Sequence, residues 1–91
     1  MRVVAKLWVK DSKFDEFRRF ETAAFAIMAK HGGRVVDIVQ NHATNGDDPH
    51  EIHVLEFPNL DAFDAYRSDS ELASLAVLRD ACIEKTKIEA S

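Results

Sequence analysis

The chain has 91 residues, 46% hydrophobic and 31% charged, with a formal charge of −4, a size and balance that suit one globular domain over residues 1–91. The acidic balance argues against nucleic acid and against an anionic membrane surface as partners, because both require a basic footprint. A single cysteine, Cys82, excludes an internal disulfide framework. No run approaches the ~20 apolar residues of a membrane span, and Lys6 and Lys10 interrupt the N-terminal apolar run where a signal peptide needs an unbroken one. The expected location is the cytoplasm.

Residues 2–10 alternate as a strand, with Val3, Ala5, Leu7 and Val9 on one side and Val4, Lys6, Trp8 and Lys10 on the other. Asp11 and Ser12 read as N-cap residues of a helix running to about Lys30, with Asp15 and Glu16 in its first turn. Phe14, Phe17, Ala24, Phe25 and Met28 form one apolar stripe, widened by Phe20, Ala23 and Ile27. Glu21 falls inside that stripe and reads as an edge carboxylate reaching solvent or a nearby Arg. Gly32 and Gly33 supply a left-handed stop.

Arg34 to about His42 is the second strand, with Val35 and Val39 on one side and Val36 and Ile38 on the other. The turn formers of 43–49, including Asn45-Gly46, close a hairpin onto a third, central strand within His50–Pro58. This strand is apolar on both faces, Ile52 and Val54 on one and Leu55 and Phe57 on the other, so it is expected to be covered on both sides. A helix begins at about Leu60 with Ala62, Phe63 and Tyr66 inward. Ser68–Ser70 break it, and a second helical run continues from Glu71 through Leu72, Leu75, Leu78 or Arg79, and Cys82. Thr86 and Ile88 suggest a short last strand.

The order strand, helix, strand, strand, helix, strand is the α+β, ferredoxin-like βαββαβ plan, a four-stranded antiparallel sheet with both helices on one face. Helices on one side leave the second apolar sheet face bare. A second copy of the chain packing sheet to sheet is the simplest cover, so the chain itself is the expected partner, in a homodimer.

Three stretches carry a family resemblance: Lys30-His31-Gly32-Gly33-Arg34, Glu56-Phe57-Pro58-Asn59, and Tyr66 through Leu75, Leu78 and Arg79. Together they resemble the DUF1330 family of the dimeric α+β barrel superfamily. Arg67 stands where that family usually has a second aromatic, and Asp69, Ser70, Glu71 and Leu72 stand where it has a Ser-Pro-Glu-Tyr run. The resemblance implies a barrel of two sheets and a pocket between sheet and helices; the family's activity is largely undefined.

Parity places Glu56 on an apolar face, where a bare carboxylate is costly. Its plain role is an ion pair or hydrogen bond with Arg34, Arg79 or a backbone N–H. Its functional role is a carboxyl of raised pKa at a pocket mouth, acting as acid or base beside His53 and Tyr66 as the other catalytic candidates. Arg34, Trp8 and Arg79 are the ligand-binding candidates. His50 and His53, three apart on a strand, face opposite sides and are not two ligands of one metal. His42 can pair with His50 across the hairpin, but no third ligand is evident, and Cys82 reads as a packed thiol. No metal site and no cofactor are expected. The reading is a homodimer that binds a small organic molecule. The alternatives are a cofactor-independent enzyme of the monooxygenase, isomerase or dehalogenase kind, and an accessory domain acting through oligomerisation.

Overall fold

A computed structural model describes residues 1–41 and 47–90. In chain order these form β1 (Arg2–Val9), α1 (Phe14–Lys30), β2 (Arg34–Gln40), β3 (Glu51–Glu56), α2 (Leu60–Arg67), α3 (Ser70–Ala73), α4 (Ala76–Cys82) and β4 (Ile83–Ala90). The strands make one antiparallel sheet in the order β2-β3-β1-β4, so β3 and β1 are central. The expected Asn45-Gly46 turn and His42 lie outside the described residues. No described helix is long and apolar enough to cross a membrane.

Alternation in β1 does what the pattern requires. Val3, Ala5, Leu7 and Val9 are all buried against the helices. The core has two apolar clusters on this face. Val3, Leu55 and Phe57 of the sheet side meet Met28 of α1 and Phe63 of α2 in one; Leu7, Val9 and Ile83 meet Phe17 and Cys82 in the other. The Cys82 thiol, pushed up by burial, donates to the Leu78 carbonyl at 3.1 Å, as a packed thiol does.

Four local expectations change. The N-cap of α1 is Lys13 with no side-chain cap, because Ser12 takes a left-handed conformation at φ 63° to turn the chain out of β1. Asp15 and Glu16 still place negative charge at the positive end of the helix. In β2 a bulge between Val35 and Asp37 shifts the register, so Val35 pairs with Leu55 while Val39 pairs with Ile52. An extra residue inverts side-chain parity, so Val35 and Val39 lie on opposite faces and Ile38 joins Val35. The run from Glu71 is two short helices broken at Leu75, which a period of three to four cannot distinguish from one straight helix. The break brings the chain back to the sheet, where Lys10 N–H donates to the Cys82 carbonyl at 2.8 Å. The last strand is a full eight residues, supported by pairing with β1 despite its charged composition.

The helix ends follow their sequence signals. Gly32 adopts φ 74° and the N–H groups of Gly32 and Gly33 return to Ala29 and Met28 carbonyls. Asn59 caps α2 through the Ala62 N–H, and Asp69 caps α3 through the Glu71 N–H. Asp69 also meets His31 at 2.7 Å and Lys30 at 3.2 Å, which ties the end of α1 to the start of α3.

Gly33 has a different reason to be glycine. A Cβ there would lie 2.5 Å from both Met28 Cγ and Phe57 Cε1, side chains that are themselves in the core. Gly33→Ala is expected to lower stability by about 1–3 kcal/mol through overpacking. Gly32→Ala is expected to cost about 1–2 kcal/mol through its left-handed backbone. Urea unfolding with unchanged m-values checks both.

Candidate functional site

The two core clusters are separated by a polar group. On β3, Glu51 and His53 are two residues apart and therefore face the same way, toward the helices. On α1, Glu21 lies one turn beyond Phe17 and just before Ala24, on the buried stripe. Ala5 pairs with His53 across β1 and β3, and its small side chain leaves room for the imidazole. Glu21, Glu51 and His53 are 7%, 1% and 4% exposed, so each needs compensation from a neighbour rather than from water.

They compensate one another. His53 Nε2 lies 2.7 Å from Glu51 Oε1 and 2.8 Å from Glu21 Oε2. The remaining oxygens belong to Arg18, whose guanidinium meets Glu21 Oε1 and lies 2.6 Å from Glu51 Oε2. With all four groups ionised the charges sum to zero. The His53 ring also stacks on Phe17, with centroids 6.4 Å apart, and packs on Phe25 at 5.4 Å.

Burial acts first on each titration. It works to lower His53, but hydrogen bonds and charge from Glu21 and Glu51 outweigh it and hold the imidazole above its ordinary value. Burial works to raise Glu21, but bonds to His53, Glu51 and Arg18 bring its carboxyl down to about 2. Glu51 is raised by burial and by the neighbouring Glu21. An imidazole that favours its proton thus stands beside a carboxyl that favours losing one, which is a buried ion pair.

Glu21 and His53 open onto a cavity of about 410 Å³ between the sheet and the helices. Its walls are mostly apolar, with Phe20, Phe25, Phe63 and Leu72 among them, and Tyr66, Arg67, Arg79 and Thr86 add polar groups. Burial pushes the Tyr66 phenol up. Of the candidates read from sequence, His53, Tyr66 and Arg79 line this cavity.

Glu56, Arg34 and Trp8 do not; they occupy the opposite, open face of the sheet. Glu56 lies between Arg2 at 2.9 Å and Arg34 at 2.7 Å in a row across three strands. Hydrogen bonds from Arg2 and Arg34 bring its carboxyl down to about 2, so the raised pKa expected for an acid at a pocket mouth is overturned. The ion pair with Arg34 is present, and Arg79 instead meets Asp80 at 3.3 Å. Trp8 donates from Nε1 to the Asp47 carbonyl at 3.2 Å and carries Lys85 Nζ 4.7 Å above its ring. His50 precedes β3 and accepts the Val9 N–H at Nδ1, 3.0 Å away.

A family model for a domain of unknown function, DUF1330, matches residues 3–88. The chain belongs to the DUF1330 family. Solved structures similar to it include a protein of unknown function from Rhodopseudomonas palustris, with a TM-score of 0.79 at 14% identity, covering 97% of this chain and 77% of that one. A dimeric protein of unknown function with a ferredoxin-like fold from Bacteroides fragilis gives 0.68 at 18% identity, over 97% of this chain and 90% of that one. An antibiotic biosynthesis monooxygenase gives 0.68 at 15% identity, over 99% and 96%. At such identities the likeness establishes the fold alone. No curated protein matches the chain.

Within this family member, Glu51 is the residue that periodicity by itself passes over, and Glu21 reaches a nearby Arg, Arg18, as expected, but from a buried position rather than an edge. The signal for both was a charged residue on a face whose neighbours are apolar. The linked titrations have definite signs. Glu21 is lowered from 4.5 to about 2, so its stabilisation is present above pH 4.5 and is lost as pH falls toward 2. His53 is raised from 6.5, so its stabilisation is full below 6.5 and is lost as pH rises through its folded value. Glu51, raised from 4.5, acts in the same sense as His53. An NMR titration of chelator-treated protein is expected to give a His53 midpoint above 6.5. Glu21→Gln should move that midpoint down and flatten the acid limb of the urea-midpoint profile. A wild-type midpoint below 6.5 would contradict the network.

Proposed function

We propose that this chain is a cytoplasmic homodimer that binds a small, mostly apolar organic anion in the cavity between its sheet and helices. The observation that carries this reading is the cavity itself: about 410 Å³, within the roughly 300–1,000 Å³ typical of small-molecule sites. Its aromatic and aliphatic walls suit a hydrocarbon body. Arg67 and Arg79 suit a carboxylate or phenolate head. A filled core at this place would have favoured a purely structural module.

A second reading, a cofactor-independent enzyme on such a molecule, is favoured by the His53 and Glu21 pair in the cavity wall. Its catalytic residues would be His53 and Tyr66, with Arg79 holding the substrate. Glu56, Arg34 and Trp8 fall to the dimer instead. The open face carries Val4, Ile52, Val54 and Val39 with Lys6 among them on β1, Trp8 at one end beside Lys85, the Arg2, Glu56, Arg34 row at the other, and Lys87 and Glu89 on the edge strand β4. A largely aliphatic face, with charges at its end and edge strand and one lysine within it, suits a two-fold sheet-to-sheet contact, and the similar Bacteroides fragilis protein is described as dimeric.

Sedimentation at micromolar concentration is expected to give a dimer. Val54→Asp should yield a folded monomer, and Val77→Asp, at a site 84% exposed on α4, should leave the dimer intact. A wild-type monomer would remove the dimer reading. For the cavity, a thermal-shift panel of small aromatic and branched carboxylates is expected to contain a stabilising member, worth about 2.7 kcal/mol at a hundredfold excess over Kd. Leu72→Trp, which narrows the cavity, and Arg79→Met should each weaken that response. A flat panel together with a purified protein that carries no small molecule by native mass spectrometry would defeat the reading.

A further inference from the structure

We propose that Glu21, Glu51 and His53 bind one divalent first-row transition ion, of the Zn²⁺ or Mn²⁺ class, in the wall of the cavity. The three residues come from α1 and β3, and one ligand atom from each lies within 4.8 Å of the other two. Nε2 of His53 is the meeting point, 2.8 Å from Glu21 Oε2 and 2.7 Å from Glu51 Oε1.

That convergence exceeds what a hydrogen bond can use. Nε2 offers one hydrogen, which goes to Glu51 Oε1. Glu21 Oε2, fully buried and 2.8 Å from the same nitrogen, is left without that hydrogen. A metal ion serves all three atoms at once. Ligand atoms about 2.0–2.2 Å from one ion stand roughly 3–3.5 Å apart, so His53 Nε2 and the two carboxylate oxygens, now 2.8 and 2.7 Å from it, need to part by about half an ångström.

The second oxygen of each carboxylate is held by Arg18, the outer-layer support that fixes carboxylate orientation in metal centres. One imidazole and two carboxylates are a borderline-to-hard set, suited to Zn²⁺ or Mn²⁺ rather than to thiolate-seeking Cu(I) or all-oxygen Ca²⁺. Three protein ligands leave further positions, and Glu21 and His53 both line the cavity, so those positions face a bound molecule. The ion balances the two carboxylates and Arg18 adds a positive charge, which agrees with an anionic ligand. The site lies in the cavity proposed above for an organic anion, but ion binding is measured with no organic molecule present, so the two readings fail separately.

The test uses tag-free full-length protein, stripped with chelator and titrated with Zn²⁺ and, separately, Mn²⁺ by calorimetry. One ion per chain is expected. His53→Gln and Glu21→Gln should abolish it, and Arg18→Gln should weaken it by about 10–100-fold. His31→Gln, away from the cluster, should leave it unchanged. Because the buried variants can unfold, the second measurement is on the wild type: Zn²⁺ should shift the His53 Nε2 resonance in ¹⁵N NMR and leave those of His31 and His50 in place. Absence of binding at millimolar ion, an unmoved His53 resonance, or unchanged stoichiometry in folded His53→Gln or Glu21→Gln protein overturns the proposal.

Discussion

Burying three ionisable groups, Glu21, Glu51 and His53, between two apolar clusters is possible in this fold because they and the part-exposed Arg18 neutralise one another at 2.8 Å or less. Taking a charge out of water costs several kcal/mol, and removal of one member of a buried set leaves the rest uncompensated. The network therefore acts as a unit. It also divides the core: Phe17, Leu7 and Cys82 pack on one side of it, and Met28, Leu55 and Phe57 on the other. His53 takes part in both roles, as a charge in the network and as a ring against Phe17 and Phe25.

The pleat of the central strand assigns the two faces of the sheet to different tasks. Odd positions of β3, Glu51, His53 and Leu55, look toward the helices; even positions, Ile52, Val54 and Glu56, look away. A sheet face covered by helices closes around a cavity that is apolar except where Glu21, His53, Tyr66 and the two arginines reach it. A face without helices shows aliphatic side chains and Lys6 at its centre and the Arg2, Glu56, Arg34 row at its edge. Chemistry that needs a low dielectric belongs to the first face. The second is the face proposed for association, where Glu56 lies between two arginines that lower its carboxyl.

Much of this plan was legible in the residues. Alternation in Val3, Ala5, Leu7 and Val9, the glycine stop at Gly32, the helix start at Leu60 and the break at Ser68–Ser70 are local effects whose energies depend on neighbours a few positions away, and they appear as read. The bulge at Val35–Asp37 was not legible, because it is imposed by register against β3 and not by the strand itself. The break at Leu75 was hidden for a related reason: helical spacing persists through it.

The sequence by itself determined the order of the strands and of the helices between them, the stop of α1, the ferredoxin-like plan and the family, since propensity, glycine stops and periodicity act along the chain. Tertiary structure alone decided which charges meet. Glu21 and Glu51 are 30 positions apart by number, and nothing local records that a helix stripe and a strand face will close on the same imidazole. It likewise decided that Glu56 faces Arg2 and Arg34 on the open side, because partners across strands are chosen by register, a property of the assembled sheet and of no single segment.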